Sequence, residues 1–401
     1  MRNRRKHWAL LVLAGLPAPV AMAADQSATT AKTATEQEAG VVEAEAPPEH
    51  LIPDLKIGDD KNWAEFYGQI DKGILFYDDG VEELTFFPVD NSNSSTRFGI
   101  RALGTISDDL TLGGNWEVEW NPYATGNVNQ LNIDDFDWDT SLLRKAELYF
   151  TSETYGKFWF GQGSMASDGT AEVDFSGTTV VGYANVNDMA GGLLFRFDDG
   201  TLSDVAIDDA FSDFDGAGRK ARVRYDTPSW EGFSLSGSVG TQIVPTITDI
   251  PVWDVAARYE KELGDFKVGG AAAVSVPGED VVLLDGSISV LHTPSGISIT
   301  LAGAVEENDA SDADARYIYG KVGYQTEYFD WGMTAVSVDA YIGEDVAAAG
   351  SESRSIGAQF VQNIDYLQTE LYLGARLYEY DEEVASFDDG FAVLSGARLR
   401  F

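Results

Sequence analysis

Lys220, Arg222 and Arg224 stand at alternate positions of one short segment, so in an extended chain their three positive charges face the same side. Like charges in a row call for acids opposite them or anionic solutes between them. Further basic residues fall on the corresponding face of other alternating segments: Arg97 and Arg101, Lys145, Arg376, Arg398 and Arg400. The acids that could oppose them, Asp168, Glu172, Asp174 and Asp188, lie in one long stretch that lacks strand alternation. A basic wall facing an acidic segment would set a transverse field across a passage, orienting dipolar solutes and rejecting bulky apolar ones. For each residue taken singly, the competing reading is a salt bridge to the next strand or a solvated loop tip.

The inventory for covalent chemistry is thin. Cysteine is absent, which removes thiol nucleophiles, disulfides and thiolate-bound metals. A Ser-His or Asp-His site would have to use His292, whose place among rings at segment ends suits an interface better than a base. Asp213-Phe-Asp215-Gly-Ala217-Gly218 begins like a calcium loop, but Ala217 takes the fifth position and Arg224 the twelfth, where oxygen ligands belong. No cofactor and no enzyme activity are expected, with loose divalent binding at acidic loops the nearest approach to a metal site.

Residues 1–23 read as a secretory signal: basic Arg2, Arg4, Arg5 and Lys6, an apolar run from Trp8 to Leu16, then Ala21-Met22-Ala23 before the cut. The apolar run is too short to span a bilayer as a helix. Losing those four charges takes the formal net charge from −39 to −43, which excludes nucleic acid as a partner. Residues 24–62, rich in Ala, Thr and Glu with Pro47, Pro48 and Pro53, read as a flexible acidic periplasmic leader, or less readily as a plug or partner-binding segment.

From 63 to 401 apolar and small or polar residues alternate at period two, as in Leu110–Trp120, where Leu112, Trp116 and Val118 share one face and Asn115, Glu117 and Glu119 the other. Sixteen such segments are predicted: 64–77, 95–106, 110–121, 142–152, 157–163, 218–227, 231–242, 252–262, 265–275, 281–292, 296–306, 315–326, 329–342, 352–363, 367–380 and 389–401. Tight turns alternate with long loops, the pattern of an antiparallel transmembrane β-barrel. A soluble β-sandwich also alternates at period two, but sixteen strands in an open sheet would leave exposed edges. Rings such as Phe66, Phe150, Phe158, Tyr225, Phe233, Tyr259, Phe266, His292, Tyr324, Phe329 and Phe401 gather at the turn side as an interfacial girdle, which makes that side periplasmic.

Acids concentrate in the long loops: Asp78, Asp79, Glu82 and Glu83, then Asp134, Asp135, Asp137 and Asp139, then Asp208, Asp209, Asp213 and Asp215. An acidic external mouth enriches cations, so mild cation selectivity is expected. Lys72 falls on the apolar outward face of Phe66, Ile70 and Ile74, which implies either a bulge or a contact with another subunit.

Several stretches resemble the Gram-negative general porins. Tyr67-Gly-Gln-Ile-Asp-Lys-Gly-Ile-Leu-Phe-Tyr77 is similar to their first strand and Ser94-Ser-Thr-Arg97-Phe-Gly-Ile-Arg101 to their second. Arg224-Tyr-Asp-Thr-Pro-Ser-Trp-Glu-Gly-Phe233 resembles the turn between their sixth and seventh strands, and Gly396-Ala-Arg-Leu-Arg-Phe401 their terminal strand. The resemblance spans 63–401. It implies a homotrimeric, sixteen-stranded outer-membrane channel whose third loop folds into the lumen. It implies too that the barrel-assembly machinery reads Phe401 and that the wall contacts lipid and lipopolysaccharide. The third loop would run from about Ser164 to Gly216; it departs from the family at Gly161-Gln-Gly163 and lacks a Pro-Glu-Phe-Gly-Gly-like stretch. Thr178–Ala184 and Gly191–Phe197 could instead add a wall hairpin, giving eighteen strands. The expected function is passive diffusion of small hydrophilic solutes and ions, with a substrate-specific channel or a structural or adhesive barrel as alternatives.

Overall fold

Period-two alternation becomes strand wherever the computed structural model describes the chain, which is residues 55–133, 136, 141–278, 280–309, 311 and 313–401. The signal-like segment and residues 24–54 of the leader lie outside the described residues. In chain order the strands begin with β1 Lys56–Gly58, β2 Asn62–Asp78, β3 Glu83–Asp90, β4 Arg97–Ser107, β5 Leu110–Trp120, β6 Ser141–Ser152 and β7 Gly156–Ser164. A long loop carries β8 Leu194–Phe197 and β9 Leu202–Ala206. Then follow β10 Arg219–Asp226, β11 Phe233–Thr241, β12 Pro251–Leu263, β13 Phe266–Val276, β14 Val281–His292 and β15 Ile297–Asn308. The series ends with β16 Ala315–Phe329, β17 Gly332–Glu344, β18 Glu352–Ile364, β19 Thr369–Asp381, β20 Phe387–Asp388 and β21 Gly390–Arg400.

Sixteen of these, β2, β4 to β7, β10 to β19 and β21, pair in antiparallel succession, and β21 pairs back onto β2 from Gln69–Arg400 to Asp78–Phe391. The wall is therefore closed and leaves no edge along its length. The second wall position is shared: β3 flanks the upper half of β2, β4 the lower half, and between them Ser92–Ser94 folds inward as a 3-10 turn. At the base β1 continues beside β2, and Phe401 exchanges backbone hydrogen bonds with Gly68. The eighteen-strand alternative fails. Thr178–Ala184 forms no strand, while β8 pairs with β9 and β20 in a separate sheet of three strands.

Side-chain parity follows the pleat. In β16, Ile318 and Val322 point out and are exposed, while Tyr317, Tyr319 and Lys321 point in and are buried. Outward apolar positions recur on every wall strand, as Ile70, Ile100, Leu148, Val255, Leu301 and Ile356 show. Such a band is stable only against hydrocarbon. Rings at the turn side meet across strands, Phe158 with Tyr225 at 4.6 Å, Phe266 with His292 at 4.8 Å and Phe66 with Phe401 at 5.7 Å between centroids. Lys72 does face outward, beside a register shift in the β2–β3 pairing, and its ammonium meets the buried Asp90 at 2.6 Å and the Trp120 ring at 5.4 Å. A local counter-ion and ring thus accompany the charge, with the irregularity in the pairing alongside.

The loop between Ser164 and Arg219 lies inside the barrel and is sewn to the wall strand after strand. Ala166 and Ser167 donate backbone N–H groups to Ser238 and Asp254, each at 2.8 Å; Val173 donates to Ser287 at 2.9 Å and Phe175 to Ser289 at 3.0 Å. Further on, the Tyr378 hydroxyl donates to the Val186 carbonyl at 2.7 Å and the Tyr341 hydroxyl to that of Ser212 at 2.8 Å. The seat is close because the wall offers glycines: a Cβ on Gly269 would stand 2.5 Å from the Phe175 ring and one on Gly374 2.6 Å from Met189. Met189, Leu193, Phe195 and Phe211 are buried against Tyr77, Tyr341, Tyr378 and Leu394. Each buried side chain of that size contributes about 1.5–3 kcal/mol.

Beneath the loop, Arg376 and Asp339 form an ion pair at 2.8 Å with neither side chain exposed. Removing one partner strands a buried charge, so Arg376→Met should destabilise the barrel by roughly 3–5 kcal/mol, and Arg376→Met with Asp339→Leu should recover most of that. Urea-gradient gels that follow the shift between folded and unfolded mobility measure both; equal loss in the single and double variants would sink the assignment.

Candidate functional site

The loop fills one side of the lumen and leaves a cavity of about 560 Å³ on the other. One wall of it is basic: Arg97 from β4, Arg144 from β6, Arg219 from β10 and Arg398 from β21. The facing wall is the loop, presenting Asp168, Glu172, Asp174 and Asp188 with Thr179 and Tyr183, while Ser92 to Ser95 supply a floor of small polar groups from the inward turn. All four loop acids singled out in the sequence therefore meet in one place.

Most charges here are already partnered. Arg144 bonds Glu117 at 2.9 Å and Glu119 more closely still; Arg398 holds Glu370 and the Ser94 hydroxyl. Asp174 receives the buried Lys321 ammonium at 2.8 Å, and Asp168 stands 3.8 Å from Arg219. Arg97 and Glu172 differ. Neither side chain makes a hydrogen bond or ion pair among the described residues. Arg97 sits in the field of Arg144 and Arg398 as well as of Glu117 and Glu119, Glu172 in that of Asp168, Asp188, Asp213 and Asp215. One cation and one acid without a bonded partner thus face each other across the passage.

Crowding changes the protonation of the loop. Burial, together with the neighbouring acids, pushes the Glu172 and Asp213 carboxyls well above the usual carboxylate range. Burial raises Asp188 to about 7 despite a hydrogen bond from Tyr183, and burial plus the Asp168 charge raises Asp215 to about 6.

The remaining candidates are spread more widely. Arg101 pairs with Glu65 and is exposed to the lumen; Lys145 lies 3.5 Å from Glu117. Lys220 faces inward with no partner among the described residues. Arg222 is locked to Glu147 and to the Gly161 carbonyl at 2.8 Å. Arg224 bonds Asp226 and the Met165 carbonyl, each at 2.7 Å, and Arg400 lies near Glu370, also at 2.7 Å. Arg376 faces inward but is wholly covered by the loop, so it does not line open passage.

Two sets of positions differ from the sequence reading. Asp213 and Asp215 belong to the lumen loop, where Asp215 accepts the Gly169 and Ala171 amides, and Asp79 is buried against Arg196 at 2.7 Å. These acids are consumed by the fold. Glu82, Glu83, Asp208 and Asp209 are exposed, whereas Asp134, Asp135, Asp137 and Asp139 lie outside the described residues. Arg144 was not expected: a bulge pairs Glu117 with Lys145 but Val118 with Leu143, so Arg144 is the extra residue and reaches the lumen beside Lys145. Among the described residues no three His, Asp or Glu side chains are placed to hold a metal ion.

Comparison with known proteins agrees with this architecture. Residues 9–383 match a family model described as Gram-negative porin. No curated protein matches the sequence. Among solved structures, outer-membrane expressed OmpT of Vibrio cholerae is similar with a TM-score of 0.56 at 14% identity, over 86% of this chain and 100% of that one. The anion-selective porin from Comamonas acidovorans gives 0.55 at 14% identity over 85% and 100%, and Salmonella typhi OmpF, solved with daunomycin, 0.55 at 15% over 86% and 100%. At such identities the likeness is one of fold, but the family match covers most of the chain, and with the closed sixteen-stranded wall and its in-folded loop this protein belongs to the Gram-negative porins.

Proposed function

We infer from family and fold that the protein is an outer-membrane channel for diffusion. We propose that it passes small hydrophilic solutes and ions passively, with no covalent step, and that the cavity between the arginine wall and the loop is its narrowest point. The observation that carries this is the facing of an arginine wall and a carboxyl-bearing loop across that cavity, with Arg97 and Glu172 lacking a bonded partner on opposite sides. Their separation orients a dipolar solute and disfavours an apolar one, which would have to strip water from both walls. The exposed acids Glu82 and Glu83 at the start of β3, and Asp208 and Asp209 on the lumen loop, add a diffuse negative potential, and the protein is weakly cation-selective as a result. They hold divalent cations only loosely. Export rests on the signal-like segment 1–23, and assembly on Phe401 recognised at the barrel base. One solved form of Vibrio cholerae OmpT is described as a trimer, and a trimer is the assembly proposed here.

In planar bilayers the protein should give stepwise conductance and a reversal potential of cation-selective sign in a KCl gradient. Arg97→Gln should raise the cation-to-anion permeability ratio, and Glu172→Gln should lower it at a pH high enough to ionise that carboxyl, each about twofold; shifts in the opposite sense to these would refute the two-wall reading. The loop acids also give the selectivity a pH dependence. Their raised pKa values keep them neutral in acid, and charge appears as pH rises through about 6 for Asp215 and about 7 for Asp188. Cation preference should therefore grow between pH 5 and 8 and flatten in Asp188→Asn, whereas a reversal potential constant over that range would contradict it. An unheated gel should show a band near three times the monomer mass; a monomer alone would exclude the stable trimer.

A further inference from the structure

Below the cavity, the lumen face of β2 and β4 to β7 carries a strip in which rings alternate with cations. Tyr67 lies over Gly99 and Tyr149 over Gly113, where a Cβ would stand 2.9 Å and 2.1 Å from the respective Cζ atoms. With no side chain beneath them, both rings rest against the wall instead of standing into the passage. Tyr149 is also opposite Trp159 on β7, their ring centroids 4.7 Å apart. The Lys157 ammonium sits 3.9 Å from the Tyr149 centroid and 3.7 Å from that of Trp159. Arg101 stands 5.2 Å from the Tyr67 ring and Arg222 5.7 Å from that of Trp159.

Lys157 is the informative member. It makes no hydrogen bond and no ion pair with any described residue, so two ring faces hold the ammonium while its N–H donors remain unused. The acceptors of the strip are spent: Glu147 takes Arg222 and Asn115, and Glu65 takes Arg101. What faces the lumen is π surface and cationic donors, with few free acceptors. A sugar would need acceptors for its hydroxyl groups, and a small inorganic anion would make no use of the rings.

We propose that this strip, centred on Tyr149, Lys157 and Trp159, is a binding site for planar aromatic carboxylates, whose carboxylate accepts from Lys157 while the ring packs on the neighbouring aromatic faces. The proposal rests on the barrel being an open channel, which stepwise conductance in KCl alone tests separately. Benzoate is the probe, with acetate as the control of equal charge and no ring. Benzoate should reduce the current saturably, with a half-blocking concentration at least tenfold below that of acetate. Lys157→Met and Trp159→Leu should each raise the benzoate value about fivefold, the ratio expected for loss of one solvent-accessible cation–π contact. Heat-modifiable gel mobility reports whether each variant has folded. Equal block by benzoate and acetate in the unaltered protein overturns the site whether or not the variants fold, as does unchanged benzoate block in both folded variants.

Discussion

The pairing of the last strand with the first is the constraint on which the rest depends. In hydrocarbon a backbone amide without an acceptor costs several kcal/mol, so a wall with one open seam would expose a full row of them. Gln69 to Asp78 against Phe391 to Arg400 removes that seam, and Phe401 with Gly68 ends it at the base. Closure also fixes parity, because each strand must then keep its apolar set outward all the way round. A sixteen-stranded cylinder is too wide for its own side chains to fill. Something else has to occupy part of the lumen.

The loop from Met165 to Gly218 is that occupant, and the wall determines where it sits. From β11 round to β19 many inward positions are short or hydroxyl-bearing: Ser238, Ser287, Ser289 and Ser337 accept from the loop, and Gly269 and Gly374 admit its side chains. The long cations on these strands bond the loop or lie beneath it: Arg258 donates to the Ala166 carbonyl at 2.7 Å, Lys321 meets Asp174 at 2.8 Å, and Arg376 is buried. On β4, β6 and β10, by contrast, Arg97, Arg144 and Arg219 look across open space. The distribution of loop partners around the wall thus decides which side the loop covers, and the loop's apolar contacts with Tyr341 and Tyr378 hold it there.

Wall strands were legible because a lipid-facing residue at every second position is a local signal that needs no tertiary knowledge. The four loop acids were legible too, since the longest connection had to go somewhere and carried them together. Three features were not. The bulge that admits Arg144 depends on pairing across two strands, so parity counted along β6 alone could not detect it. Burial of Arg376 depends on the loop's path, which one-dimensional alternation does not encode. Asp213 and Asp215 read as mouth acids for the same reason. The density of inward serines on β11, β14 and β17 was the available clue, because short acceptors on a wet wall imply a backbone packed against them.

Charge count is a poor guide to the field in the passage. A buried ion must be paired or be made neutral, and the fold applies both remedies. Arg144, Arg222, Arg398 and Lys321 are paired with acids of the wall or the loop. Glu172, Asp188, Asp213 and Asp215 crowd one another in a water-poor loop that supplies too few cations, and their carboxyls shift upward instead. The strongly acidic composition therefore contributes little at the narrowest point. What a solute meets there is the remainder after pairing and protonation: Arg97 on one side, a Glu172 carboxyl pushed upward by burial and its neighbouring acids on the other, and Lys157 held by rings further down. Since the loop acids respond to pH and the arginines do not, the balance between the walls is set by the loop's protonation more than by the number of charges lining it.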